Sequence, residues 1–242
     1  MNRILLAGVL LLAMASCGGD GGGDSQSPSP TPTGHTASEQ LAAELQGLSL
    51  DDFYFESFRA LILRSPETVV WEALESTFPL QAVGLDDLSD EFERETFAMY
   101  QVVLDGLGSY DRDALTADEQ LDYDTYAYYL QDAVEHLDFM YHDFRATYMN
   151  FSVQNSTQRL FTDIHRLSSR QDAEDYIARL ELVDDKFDQL IDHLDRQRNA
   201  GIVEPALSMN IAHDQAAAIA ARSTDSNPYF ARFADRIGQI PD

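Results

Sequence analysis

Three apolar stripes at three- and four-residue spacing constrain this chain more than any other feature. The first runs from Phe92 through Thr96, Met99, Tyr100, Val103, Leu104 and Leu107. A second passes through Tyr126, Leu130, Ala133, Leu137, Met140 and Phe144, and a third through Tyr176 or Ile177, Leu180, Val183, Phe187, Leu190 and Leu194. A helix returns to the same face about every 3.6 residues, whereas a strand requires strict alternation, so the stripes predict three long amphipathic helices. In the third, Glu181, Asp184, Asp185, Asp188, Asp192 and Asp195 fall largely off the stripe, as a solvated face should.

The helix ends carry matching chemistry. Thr116 with Glu119, and Ser168 with Gln171, have the capping-box spacing ahead of the second and third helices. Gly201 can adopt the left-handed conformation that closes the third, and Pro205 prevents its continuation. Shorter helices are expected after Ser38, Ser49 and Ser65, around Thr157 to Leu167, after Ser208, and from Pro228 to Ile237. Ser65-Pro66 and Asn227-Pro228 each place a capping residue before a first-turn proline. Only Ala146 to Val153 alternates weakly in the manner of a strand. The fold class is therefore all-α, a multi-helix array or bundle.

At the N-terminus, Met1, Asn2 and Arg3 precede an apolar run from Ile4 to Ala15. The run is shorter than the roughly 20 residues a bilayer span needs, so residues 1–16 read as a cleaved secretory leader. Ala15 and Ser16 before Cys17 match a bacterial lipoprotein box, although Met14 stands where Leu is usual. Cys17 is thus the expected lipid attachment; an ordinary exported protein with an incidental cysteine is the plainer alternative. It is also the chain's one cysteine, so no intramolecular disulfide can form. Gly18 after it points to the outer membrane. From Gly18 onward GGDGGGDSQSPSPTPTGHT offers nothing to a core, so residues 17–37 form a lipidated, disordered tether. Its flexible reach is roughly 25 Å.

Residues 38–242 remain as an acidic helical domain. The chain carries 42 acidic against 16 basic residues, a formal charge of −26. Nucleic acid is not an expected partner, because phosphate contacts need a basic footprint. Anionic head groups would be repelled as well, so contact with the membrane should come through the lipid anchor.

Of the histidines His35, His136, His142, His165, His193 and His213, none is followed by Glu, so HExxH is absent. That motif works because two His at i and i+4 share a helical face while the Glu acts on metal-bound water. Asp132 with His136 and Asp138 with His142 have ligand-like spacing, but such pairs more often stabilise a helix surface. The row Asp184, Asp188, Asp192 and Asp195 reads first as a solvated face. Tyr123, Tyr126, Tyr128 and Tyr129 could line a carbohydrate or peptide groove, with helix packing the favoured role. There is no nucleophile elbow, phosphate loop or dinucleotide glycine pattern. No catalytic or metal-ligating residue is nominated.

Five segments in order carry a family resemblance: Ser65-Pro66, then Gly84-Leu-Asp-Asp-Leu-Ser89, then Leu115 to Tyr126 (LTADEQLDYDTY), Asp175-Tyr-Ile-Ala-Arg-Leu180, and Gly201-Ile-Val-Glu-Pro205. Over about Leu48 to Ile237 the chain resembles the N-terminal portion of the bacterial domain-of-unknown-function 885 family. The resemblance implies an exported, mostly helical protein similar to zinc metallopeptidases of the HExxH type. In that family the motif, often HEAIPGH, lies in a C-terminal half that this sequence, ending at Asp242, does not include. The expectation is a cleft-forming helical half, inactive by itself, with no cofactor of its own. Zinc is expected only with an HExxH-bearing partner or continuation, and a peptide substrate is the expected ligand. The alternative is a stand-alone helical lipoprotein for binding or envelope interaction.

Overall fold

The computed structural model describes residues 35–240. The expected leader, Cys17 and the expected tether up to Gly34 lie outside the described residues. Helix α1 spans Ala37–Glu44 and is opened by a capping box between Thr36 and Glu39, so Thr36 and Ala37 belong to the helical body rather than to the tether. Four further helices follow: α2 (Leu50–Ile62), α3 (Pro66–Trp71), α4 (Asp90–Leu107) and α5 (Ala117–Glu135). Ser49, Ser65, Ser89 and Thr116 cap them, and Thr116 forms the expected box with Glu119.

The first stripe faces inward as its spacing demands, with Met99, Val103 and Leu107 buried and Phe92, Thr96, Tyr100 and Leu104 half-buried. Met99, Val103 and Leu107 of α4 meet Leu41 and Leu45, then Phe53, Tyr54 and Leu61 of α2, and Tyr126 and Leu130 of α5. Gly106 is what allows α2 so close: a Cβ there would lie 2.9 Å from the Phe53 ring. Smaller clusters extend this core. Ile62, Val69, Leu74 and Phe78 pack around α3. Leu88, Ala146, Val153 and Leu190 join the two halves of the chain.

The second stripe is helical only to Glu135. A 3-10 turn over His136–His142 then tightens the winding, which changes the phase. Met140 stays buried while Leu137 and Phe139 face outward. The Ala146 to Val153 segment consists of bends and turns up to Ser152, and no strand occurs among the described residues. Helix α6 (Val153–Arg159) follows, with a π-helical turn over Leu160–Ile164.

The third stripe is two helices, α7 (Arg170–Leu180) and α8 (Val183–Asn199), joined at Glu181 and Leu182. The cap of α7 is Ser169 with Asp172, not Ser168 with Gln171; the Asp172 carboxylate reaches back to accept from the N–H groups of both Ser168 and Ser169. The inward face of α8 also differs from the apolar one expected. Lys186, Leu190, His193 and Gln197 are its buried residues, while Phe187 and Leu194 pack beside them only partly buried. Gly201 ends α8 at φ +76°, the left-handed conformation its position required. Helices α9 (Ala206–Ala220) and α10 (Pro228–Ile237) complete the described chain, α9 starting ahead of Ser208. No described helix is long and apolar enough to cross a membrane.

Candidate functional site

Three of the five segments that carry the family resemblance meet one another beside α8. Ser65 caps α3 and donates from Oγ to both carboxylate oxygens of Asp86, at 3.0 and 2.9 Å. The Glu67 N–H donates to Asp86 Oδ1 at 3.0 Å, and the Asp86 N–H donates to Glu67 Oε1 at 3.0 Å. Lys186 of α8 donates from Nζ to the same Glu67 oxygen, both side chains being almost wholly buried. One turn further along α8, Gln189 accepts the Leu88 N–H at 2.7 Å. From α7, Arg179 donates to the Gly84 carbonyl at 3.1 Å and to His165 Nδ1 at 2.6 Å.

Electrostatics follow from burial. Burial lifts Asp86 well above the carboxylate range, to about 7; the neighbouring Glu67 charge adds to this and Lys186 opposes it. Burial holds His165 below its ordinary value. Because Arg179 donates to its Nδ1, His165 must carry its proton on Nε2, from which it donates to the Asp172 carbonyl at 2.9 Å.

A second polar network lies further along α8. Asp90, at the start of α4, accepts from the Tyr141 hydroxyl at 2.5 Å and from Arg94 Nε at 2.7 Å. Burial works to raise Asp90, but these two hydrogen bonds outweigh it and hold the carboxyl low. Glu93 pairs with Arg145 at 3.5 Å, each nearly inaccessible to solvent. Gln197 donates to the Tyr141 and Asp143 carbonyls at 2.8 and 3.0 Å. His193 is fully buried, with Nε2 3.4 Å from the Asp143 carbonyl and Nδ1 buried without a hydrogen-bond partner among the described residues. Burial, reinforced by the Arg145 charge, lowers it to about 4, so the imidazole is neutral.

In both networks acids and bases face one another away from solvent, apart from Arg94, whose side chain is half exposed. Where α7 turns into α8 the surface is open instead. A depression of 580 Å³ is lined there by Leu180, Glu181, Val183, Asp184, Phe187 and Tyr229.

The residues considered from sequence are scattered. Asp184, Asp188 and Asp195 are exposed along α8 as a solvated face. His136 and His142 sit exposed at the two ends of the 3-10 turn. Tyr126 is a core residue that hydrogen-bonds Ser57 at 2.9 Å, Tyr129 stacks on it, and Tyr128 faces solvent. Cys17 lies outside the described residues. Sequence reasoning did not single out Glu67, Lys186, Glu93 or Arg145, and weighed His193 only as one of six histidines. The available signal was Lys186 three residues after Val183, a charge at a stripe position.

Among the described residues no group of three or more His, Cys, Asp or Glu could hold a metal ion. His165 has both ring nitrogens engaged and His193 is walled in beside Arg145, so neither buried histidine offers zinc an open donor.

These observations define an all-helical protein organised around a buried ionic spine. The chain belongs to the family described as bacterial protein of unknown function (DUF885), whose model matches residues 79–240. Asp86, Glu93, Arg145, Arg179, Lys186 and His193 fall inside that match, while Ser65 and Glu67 precede it. No curated protein matches the chain, and no solved structure does.

Proposed function

We propose that this chain is an envelope lipoprotein, anchored through Cys17, whose helical body shapes and presents substrate rather than cleaving it. Any zinc-dependent peptide hydrolysis would then be carried by an HExxH-bearing element outside residues 35–240. One observation carries the reading: the buried acids and bases of the described body are engaged with one another, Glu67 with Lys186 and Glu93 with Arg145. Groups locked in this way position helices; they are not poised over an open cleft. The test is to load purified residues 35–242 with zinc, dialyse, and measure bound metal and hydrolysis of a mixed peptide library. Neither stoichiometric zinc nor hydrolysis is expected, and finding both would sink the reading. Anchoring is tested by radiolabelled palmitate incorporation in the full chain, which Cys17→Ser should abolish.

A second reading, a stand-alone binding lipoprotein, is favoured by the open depression between α7, α8 and α10. It predicts ligand binding by the isolated body with no catalytic partner present.

A further inference from the structure

The depression at the α7–α8 turn combines an apolar floor with an acidic rim. Leu180 ends α7, and Val183 and Phe187 stand one turn apart on α8, so the break at Glu181 and Leu182 opens a concavity instead of a continuous ridge. Tyr229 of α10 supplies the opposite wall. It is held firmly: the Tyr176 hydroxyl donates to its carbonyl at 2.9 Å, and its ring packs edge-on against Phe161 at 5.3 Å. The wall is therefore built before any ligand arrives, which lowers the cost of binding. Its size falls within the range of small-ligand sites.

Glu181 and Asp184 border this floor, and both are exposed. Apart from the Tyr229 ring and its hydroxyl, the lining presents apolar side chains and these two carboxylates, so an anionic ligand would meet repulsion with no compensating cation among the lining residues. The chain's charge of −26 adds a long-range field that attracts cations.

We infer that this depression docks a cationic, apolar peptide segment. One large aliphatic or aromatic side chain seats among Leu180, Val183, Phe187 and Tyr229, while an adjacent Lys or Arg meets Glu181 and Asp184. The inference does not rest on the peptidase reading, because it concerns binding by the body alone and is read without metal or hydrolysis.

The experiment is fluorescence anisotropy on residues 35–242 with three labelled pentapeptides: Lys-Lys-Leu-Phe-Lys, its Glu-Glu-Leu-Phe-Glu counterpart, and Lys-Lys-Gly-Gly-Lys. Burial of one apolar side chain together with two rim-exposed ion pairs supports a preference of about tenfold for the first over either other. The Glu181→Gln/Asp184→Asn double variant should lose about tenfold for that peptide. A matched control, Asp118→Asn/Asp138→Asn, removes two exposed carboxylates elsewhere, one of them in a helix first turn like Asp184. It should stay within about twofold of the parent. Equal affinity for all three peptides overturns the inference. So does equal loss in the two double variants, which would reduce the effect to the overall charge.

Discussion

Glu67 and Asp86 grip each other through their backbones, each carboxylate accepting the other's N–H at 3.0 Å. This reciprocal clasp ties the start of α3 to the segment before α4, and Lys186 binds it to α8. Two buried carboxylates so close need a cation or a proton: Lys186 supplies the cation, and burial favours a proton on Asp86.

Asp86→Asn should therefore change the pH dependence of stability. Because folding raises Asp86 from its ordinary 3.8 to about 7, folding favours the protonated form. That contribution is complete below about pH 4 and is lost as pH rises through 7. An Asn can still accept from the Glu67 N–H and can donate to Ser65 Oγ. The Tm of the variant minus that of the parent should rise by about 3 °C or more between pH 4 and 8. A difference that stays flat across this range would refute the assignment.

Removing Lys186 should cost more than removing the whole pair. Lys186→Met leaves the Glu67 charge buried without its cation, a loss of about 3–5 kcal/mol in urea unfolding. Adding Glu67→Gln should recover at least half of it. No recovery in the double variant would show that Lys186 acts through packing alone.

His193 should remain neutral far below the usual histidine range. Burial and Arg145 lower it to about 4, so its stabilising contribution is present above about pH 6.5 and lost as pH falls toward 4, opposite in sign to Asp86. Nitrogen-detected NMR should find the proton on Nε2, facing the Asp143 carbonyl, with no titration between pH 5.5 and 7.5. A midpoint near 6.5 would contradict the buried site.

Gly106→Ala tests the closest helix contact. Alanine improves helix propensity by about 1 kcal/mol, but its Cβ would stand 2.9 Å from the Phe53 ring. Displacing a well-packed ring costs about 1–3 kcal/mol, so a net loss of about 1 kcal/mol is expected. A more stable variant would show that the ring relaxes freely.

Local chemistry was legible wherever neighbours along the chain supply it. The Thr116–Glu119 box, the Ser65-Pro66 start and the Gly201 stop depend on backbone groups within a few residues, and each stands where the spacing placed it. The α8 face was misread because apolar periodicity ranks Lys186 and His193 as surface residues. They are buried only because Glu67 and the Asp143 carbonyl, 119 and 50 positions away respectively in chain order, fold against them.

The sequence by itself determined the all-helical class, several helix boundaries and the family, since each follows from short-range periodicity, capping and the order of local segments. Only the tertiary structure decided which charges are buried. An ion pair such as Glu67 with Lys186 is 119 positions apart along the chain. Its partners are chosen by packing geometry, because a charge removed from water must find its opposite wherever the fold brings one.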